Sequence, residues 1–167
     1  MVNLNLALAT SADIPAIQTL AQCIWRAHYP AIIGIEQVEY MLDKFYSEES
    51  LRQQMVEGQQ FWLVQNPELK NGQSLGFLAV SDQREGRYFL HKFYLDNEQR
   101  GQGLGKSIFA LLLARYKNLR ELRLTVNRQN FKSINFYFRI GFVIERCVDI
   151  PIGEGYTMAD FQMLFHC

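Results

Sequence analysis

The feature that most constrains this chain is a glycine-rich turn between a predicted strand and a strongly apolar helix. The turn reads Arg100-Gly-Gln-Gly-Leu-Gly105, with glycine at every second position. Because glycine lacks a Cβ atom, such a backbone can approach a ligand closely and direct its N–H groups toward an anion. The N-terminus of the following helix adds the positive end of its dipole. The turn therefore predicts a phosphate-binding site, and a tight strand-to-helix turn without a ligand is the alternative.

Two common phosphate-binding patterns fit this turn poorly. The nucleoside triphosphate loop requires Gly-x-x-x-x-Gly-Lys-Ser/Thr, and Arg100 occupies the position of its first glycine. The dinucleotide fingerprint Gly-x-Gly-x-x-Gly fails because Gly105 comes one place early, and the next strand ends in Asn127 rather than an acidic residue. An anion site of another kind is favoured, and an NAD enzyme is a distant alternative.

The hydrophobic periodicity predicts a single α/β domain over residues 1–167, with a mixed sheet. A first strand is expected at 3–9, followed by helices between Ser11 and Pro30, at about 35–46, and from Ser47 to about Gly58. Strands at 60–65, 75–81 and 87–95 then form an antiparallel meander. Beyond the turn we expect a helix from Leu104, a strand at 122–126, a helix at 130–140, strands at 142–150 and 157–167, and a loop at 151–155.

Composition excludes several classes of function. Lys plus Arg and Asp plus Glu both number 17, so a zero net charge argues against nucleic acid or an anionic membrane surface as a partner. No apolar run reaches the roughly 18 residues of a membrane span, and the N-terminus does not resemble a signal peptide. The cysteines and histidines are too scattered for a disulfide framework or a zinc site, which predicts reduced thiols, a cytoplasmic protein and no metal. These residues are Cys23, Cys147, Cys167, His28, His91 and His166.

Two motifs give the chain a family resemblance. Arg100-x-x-Gly103-x-Gly105 resembles the Arg/Gln-x-x-Gly-x-Gly/Ala signature of the GNAT superfamily of N-acetyltransferases. Asn130-Phe-Lys-Ser-Ile-Asn-Phe-Tyr137-Phe-Arg-Ile-Gly141-Phe142 resembles the Asn-x-x-Ala/Ser-x-x-Phe/Leu-Tyr-x-x-x-Gly-Phe element of the same family. The order of elements is also similar, so the resemblance covers nearly the whole chain. It implies the GNAT fold, a mixed, mostly antiparallel sheet of about seven strands with about four to five helices.

The resemblance implies acetyl-CoA as the acetyl donor. The glycine-rich turn would present backbone N–H groups to the pyrophosphate, and pantetheine would pair with the exposed edge at the end of the fourth strand. The cofactor-binding residues that it implies are Phe93, Tyr94, Leu95, Arg100, Gly101, Gln102, Gly103, Leu104, Gly105, Lys106, Asn127, Asn130 and Tyr137.

The resemblance also implies direct attack of a neutral amine on the thioester. Tyr137 would protonate the departing thiolate, and an N–H near Tyr94 or Leu95 would polarise the carbonyl. For Tyr137 the alternative is a core aromatic residue. The fourth strand has no carboxylate, so His91 is the candidate general base, with a water chain or a purely structural imidazole as alternatives.

The acceptor site is expected from the first helices and the last loop. Trp25, His28 and Tyr29 share one helix face and could wall an amine pocket, although core packing explains them equally well. Asp149 and Asp160 could hold a cationic acceptor, or could simply be solvated. The expected acceptor is a primary amine of a polyamine, an amino acid, an aminoglycoside-like molecule or a peptide terminus. A CoA-binding sensor without catalysis is the alternative function, and a homodimer is an open question.

Overall fold

The computed structural model describes residues 3–68, 72–96 and 103–167 and confirms the predicted α/β class. Within these ranges a seven-stranded mixed sheet has the strand order β1-β2-β3-β4-β5-β7-β6. The pair β4–β5 is parallel, whereas β1–β2, β2–β3, β5–β7 and β6–β7 are antiparallel. The strands are β1 (Asn5–Leu8), β2 (Gln60–Gln65), β3 (Ser74–Asp82), β4 (Arg87–Leu95), β5 (Glu121–Asn127), β6 (Val143–Gly153) and β7 (Tyr156–His166).

Six α-helices accompany the strands in the described residues. They are α1 (Ile14–His28), α2 (Pro30–Ile33), α3 (Ile35–Tyr46), α4 (Glu48–Val56), α5 (Leu104–Arg115) and α6 (Phe131–Arg139). The short helix α2 was not predicted; it begins at Pro30, whose fixed φ suits a first helical position, and ends at Gly34, whose φ is +83°. In the described ranges, no helix combines the length and the apolar character that crossing a membrane requires.

The described chain divides into two compact units. The first contains the residues up to Ser81 and those from Lys92 to Lys117, and the second contains Asp82–His91 and Asn118–Cys167. Strand β4 therefore contributes its C-terminal half to the first unit and its N-terminal half to the second.

The core of the first unit follows the predicted periodicity of α1. Thr10 and Asp13 form a capping box just before this helix, which holds its start in place. On α3 the buried side chains again recur at three- and four-residue steps, so both helices present one apolar face. The buried residues of the two helices are Ile14, Ile17, Leu20, Ala21, Ile24, Trp25, Val38, Met41, Leu42 and Tyr46.

The second unit contains β5, β7 and β6 together with α6. The Asn130 side chain caps α6 by accepting a hydrogen bond from the Ser133 N–H at 3.3 Å, and Gly141 follows the helix with a φ of +104°. The predicted loop at 151–155 is wrong at its start, because β6 pairs with β7 as far as Gly153. Only Glu154 and Gly155 form the turn, and both have positive φ angles, which suit a tight hairpin.

Gly76 provides a test of how closely β3 and β4 approach. This buried glycine has no room for a side chain, because an added Cβ would lie 2.1 Å from the carbonyl oxygen of Tyr94. We expect Gly76→Ala to lower the free energy of unfolding by about 1–3 kcal/mol, since backbone must move to relieve the clash. Denaturant unfolding measures this change. Ser74→Ala, on the same strand and partly exposed, should stay within about 0.5 kcal/mol of wild type, and equal stability of all three proteins would contradict the expectation.

Candidate active site

The described part of the glycine-rich turn forms the start of α5. Gly103 precedes the helix with a φ of +76°, a left-handed conformation that glycine adopts without strain, and an added Cβ would meet nothing within 4 Å. The first N–H groups of a helix lack partners within it, so this end is suited to an anion. Leu104 begins α5 as predicted and is buried, while Gly105 is partly exposed and Lys106 is exposed. Arg100, Gly101 and Gln102 lie outside the described residues.

The end of β4 is held close to β3. Asp96 donates its backbone N–H to the Leu75 carbonyl oxygen at 2.8 Å, and Gly76 leaves room for the Tyr94 carbonyl. The side chains of Phe93, Tyr94 and Leu95, the three predicted cofactor-binding residues of this strand, are all partly exposed. The strand thus keeps accessible surface at the position where the family resemblance predicts pantetheine.

Five rings of the first unit pack into what we call the aromatic cluster. Its members are Trp25 on α1, Tyr29, Tyr46 on α3, Phe77 on β3 and Tyr94 on β4. The Trp25 ring centroid lies 4.5 Å from that of Tyr29, 5.5 Å from Tyr46 and 5.9 Å from Tyr94. Trp25, Tyr46 and Phe77 are buried, whereas Tyr29 and Tyr94 are partly exposed, so the cluster has a buried floor and an accessible side.

The structure brings the three predicted acceptor residues together at this cluster. The His28 ring is partly exposed and lies 4.9 Å from the Tyr29 ring, edge to face. Trp25 is 4% exposed, so core packing accounts for most of its surface. Among the acceptor candidates, His28 and Tyr29 are therefore the ones that a bound molecule could touch directly.

The five residues of the cluster supply polar atoms as well as ring faces. Burial raises the pKa of the Tyr46 phenol well above its ordinary value, and a hydrogen bond with Tyr94 only partly opposes this rise. The buried indole N–H of Trp25 has no acceptor with ordinary hydrogen-bond geometry among the described residues. Ring faces and neutral hydroxyl groups are the surface that the cluster offers. Such surfaces attract alkylammonium groups through cation–π interaction.

Lys92 is a functional candidate that the sequence predictions missed. It is only 8% exposed, and burial lowers the pKa of its amine to about 7. Its Nζ donates to Gln54 Oε1 at 2.5 Å and to Gln59 Oε1 at 3.2 Å. It also lies 5.7 Å from the ring centroid of Tyr46 and 5.1 Å from that of Phe61. The period-two alternation that places Tyr88 and Leu90 in the core extends to Lys92. This alternation was the sequence signal that could have predicted a buried lysine.

In the second unit, Tyr137 lies on α6 and is 9% exposed. Its ring is 5.4 Å from both the Phe136 and Phe142 centroids, so it combines core packing with a polar hydroxyl. Asn127 Oδ1 accepts from the Gln129 N–H at 2.9 Å, and Asn130 caps α6. Both asparagines thus shape the chain between β5 and α6, and their predicted contact with the cofactor stays a prediction.

His91 and the two predicted aspartates have different environments. His91 is exposed and its ring lies 4.8 Å from that of Phe89. Asp149 is exposed and forms an ion pair with Arg128. Asp160 is 6% exposed, and burial raises its pKa to about 6 despite opposing contributions from Thr125 and Arg128. Asp160 is therefore a buried acid that binds its proton unusually tightly, rather than a solvated carboxylate.

The described ranges contain neither a cluster of candidate metal ligands nor a disulfide. No group of three or more His, Cys, Asp and Glu side chains within them is arranged to hold a metal ion. Cys23, Cys147 and Cys167 are free thiols on exposed residues.

Comparison with known proteins identifies relatives of the whole domain. The family model described as "Acetyltransferase (GNAT) domain" matches residues 32–163. The spermidine N(1)-acetyltransferase of Thermoplasma acidophilum is 26% identical over 139 residues, which cover 80% of this chain and 84% of that protein. The spermine/spermidine N(1)-acetyltransferase of Bacillus subtilis is 33% identical over 64 residues, which cover 36% of this chain and 42% of that protein.

Solved structures share the fold. The crystal structure of the PaiA N-acetyltransferase of Thermoplasma acidophilum, in complex with coenzyme A, matches with a TM-score of 0.78 and 23% identity, and the match covers 99% of both chains. A GCN5-related N-acetyltransferase of Rhodopseudomonas palustris matches with a TM-score of 0.77 and 15% identity, over 100% of this chain and 98% of that one. The predicted GNAT fold is thereby confirmed. Since the family model also covers most of the sequence, the chain belongs to the GNAT acetyltransferase family and is an acetyl-CoA-dependent N-acetyltransferase.

Proposed function

We propose that this enzyme acetylates a primary amine of a polyamine or a similar small alkylamine. The aromatic cluster carries the proposal, because it offers ring faces and hydroxyl groups on a partly exposed surface, and such a surface attracts alkylammonium groups. The names of the Thermoplasma and Bacillus relatives, spermidine and spermine/spermidine N(1)-acetyltransferases, support an alkylamine over an amino acid or a peptide. In this proposal Tyr29, Tyr94 and His28 contact the acceptor, and Trp25 supports them from below.

The donor side of the proposed site uses the start of α5 and the end of β4. The open left-handed position at Gly103 and the helix N-terminus fit a phosphate group. In the proposal, residues 100–106 hold the pyrophosphate, and residues 93–95 pair with the pantetheine arm. Asn127 and Asn130 contact the same arm. Acetyl-CoA supplies the acetyl group as an activated thioester.

The reaction requires three contributions from residues of this chain. A backbone N–H near Tyr94 or Leu95 stabilises the negative charge that develops on the carbonyl oxygen when the neutral amine attacks. The new C–N bond forms as the C–S bond breaks, and the Tyr137 hydroxyl donates its proton to the leaving sulfur. A base takes one proton from the attacking nitrogen. His91 is the proposed base, with a chain of waters as the alternative.

The cellular setting follows from the same chemistry. Free thiols persist in a reducing compartment, and the use of acetyl-CoA is compatible with one, so we propose a cytoplasmic location. A homodimer stays a prediction.

The proposed activity predicts thiol release from acetyl-CoA when spermidine or spermine is present. Reaction of the free thiol with a chromogenic disulfide follows the rate, and mass spectrometry of the amine identifies the product. Polyamines should give a higher kcat/KM than amino acids, aminoglycosides and a model peptide. CoA binding without turnover on any amine would favour the sensor, and turnover confined to peptides would contradict the polyamine assignment.

Tyr137→Phe tests the general acid. Removing only the hydroxyl should lower kcat by about 100-fold, because the thiolate then leaves without a proton donor. The Kd for CoA, measured by calorimetry, should stay within a factor of about three. Tyr40→Phe, which removes a hydroxyl from the partly exposed ring on α3, is the matched control and should keep the wild-type kcat. An unchanged kcat in Tyr137→Phe would remove the assignment.

His91→Gln tests the base. The pH profile of kcat at saturating amine should lose the limb that the His91 imidazole would supply, because an amide does not titrate. His166→Gln, which changes another exposed histidine at the end of β7, should keep the wild-type profile. If the two variants and wild type give the same profile, a water chain replaces His91 in the mechanism.

A further inference from the structure

The amine of Lys92 has two hydrogen-bond acceptors beside it among the described residues. Gln54 and Gln59 both direct an amide oxygen toward it. Gln54 cannot simply be reversed, because its Nε2 donates to the Phe45 carbonyl at 2.8 Å and to Ser50 Oγ at 3.0 Å. The remaining contacts are the ring faces of Tyr46 and Phe61. This shell suits an ammonium group, with three donors and no acceptor, better than a neutral amine.

The Lys92 amine also lies against one ring of the aromatic cluster. Tyr46 is both the ring beneath Lys92 and a member of the cluster, 5.5 Å from Trp25 and 6.2 Å from Phe77. Cation–π attraction depends on the field of the rings, and a second positive charge against the same cluster is repelled by the first. The Lys92 amine thus lies against the buried side of the cluster whose accessible side is proposed to bind the acceptor.

We propose that Lys92 is a specificity-determining residue whose positive charge weakens the binding of alkylammonium groups at the aromatic cluster, and whose deprotonation relieves this repulsion. The inference rests on the proposed acceptor site and adds to it the group that controls its affinity. Lys92 touches no reacting atom in this proposal, so its effect falls on KM for the amine and on ligand Kd rather than on kcat.

The direction of the pH effect follows from burial. Because desolvation lowers the pKa of Lys92 to about 7, the amine is mostly charged at pH 6.0 and mostly neutral at pH 8.5. Of the described side chains that contact Lys92 from α3, α4, the following turn and β2, Tyr46 alone is titratable, and burial raises its pKa far beyond this range. The ionisable imidazole of His28 borders the other side of the cluster, so the effect of Lys92 is the difference between wild type and a variant at the same pH.

Hexamethonium is the probe, because this bis-quaternary alkylammonium neither titrates nor accepts an acetyl group. Calorimetry measures its Kd at pH 6.0 and pH 8.5 for wild type, Lys92→Met and Lys44→Met. Lys44→Met is the matched control: it removes the same charge from an exposed lysine that lies 5.6 Å from the Tyr40 ring centroid on α3. At pH 6.0 we expect Lys92→Met to bind about tenfold more tightly than wild type, because the substitution removes one like charge from behind the same cluster.

At pH 8.5 the Kd values of wild type and Lys92→Met should converge, and Lys44→Met should follow wild type at both values of pH. Equal affinity of wild type and Lys92→Met at pH 6.0 would overturn the proposal, as would the absence of hexamethonium binding to every variant. Acetylation of polyamines is measured separately. Activity without hexamethonium binding would therefore refute the role of Lys92 while leaving the proposed function standing.

A measurement on the wild-type enzyme keeps the proposal testable if Lys92→Met does not fold. Coupling between two sites is reciprocal, so saturating hexamethonium should lower the pKa of Lys92 by about one unit if the affinity changes tenfold. NMR of protein carrying ¹³C at lysine Cε follows this titration directly. A Lys92 resonance that titrates identically with and without hexamethonium would overturn the inference.

Discussion

The packing of rings around Trp25 connects the helices of the first unit to its strands. Trp25 comes from α1, Tyr46 from the end of α3, and Tyr94 from the end of β4, with centroids 5.5 and 5.9 Å from that of Trp25. Large aromatic side chains bury more apolar surface than any others, and their edge-to-face contacts fix orientation as well as distance. The end of β4 can take part because Gly76 lets the Tyr94 backbone come close to β3. The same contacts that stabilise this unit therefore define its candidate acceptor surface.

The aromatic cluster that stabilises this unit also packs against a buried amine whose burial is unfavourable. Burying the Lys92 amine without a carboxylate is unfavourable, and the lowered pKa of about 7 expresses this penalty. Two amide oxygens and two ring faces reduce it without cancelling it. A chain optimised only for stability would place an apolar residue here. The Lys92 amine places an ionisable group against the Tyr46 ring, which a methionine could not provide.

The second unit places its candidate groups by a different means. Asn130 caps α6 and so fixes where that helix begins, and two aromatic contacts hold the Tyr137 ring. The hydroxyl is thus attached to a rigid, well-packed ring rather than to a flexible chain, which suits a group that must donate a proton at a defined position. Asp160, on β7, shows that burial in this unit also raises a carboxyl pKa, to about 6.

Much of the secondary structure was predictable because it depends on local patterns. The apolar steps of α1, the Ser47 cap before α4 and Gly141 after α6 all appear where the sequence indicated. The extent of β6 was not predictable, because its pairing with β7 continues through Pro151, a residue that usually signals a turn. The placement of Arg100, Gly101 and Gln102 lies outside the described residues, so the phosphate-binding role of the turn still depends on the motif.

The sequence by itself determined the family and the N-acetyltransferase activity, since two short motifs and the order of elements identify a GNAT acetyltransferase. Trp25, His28 and Tyr29 were also predictable as neighbours, because helical periodicity places them on one face. Only the tertiary structure decided what surrounds them. Tyr46, Phe77, Tyr94 and Lys92 come from segments far apart in the chain, and no local pattern encodes which distant side chains meet. The burial that lowers the Lys92 pKa arises from this meeting, and it is a property of the packed unit rather than of the lysine.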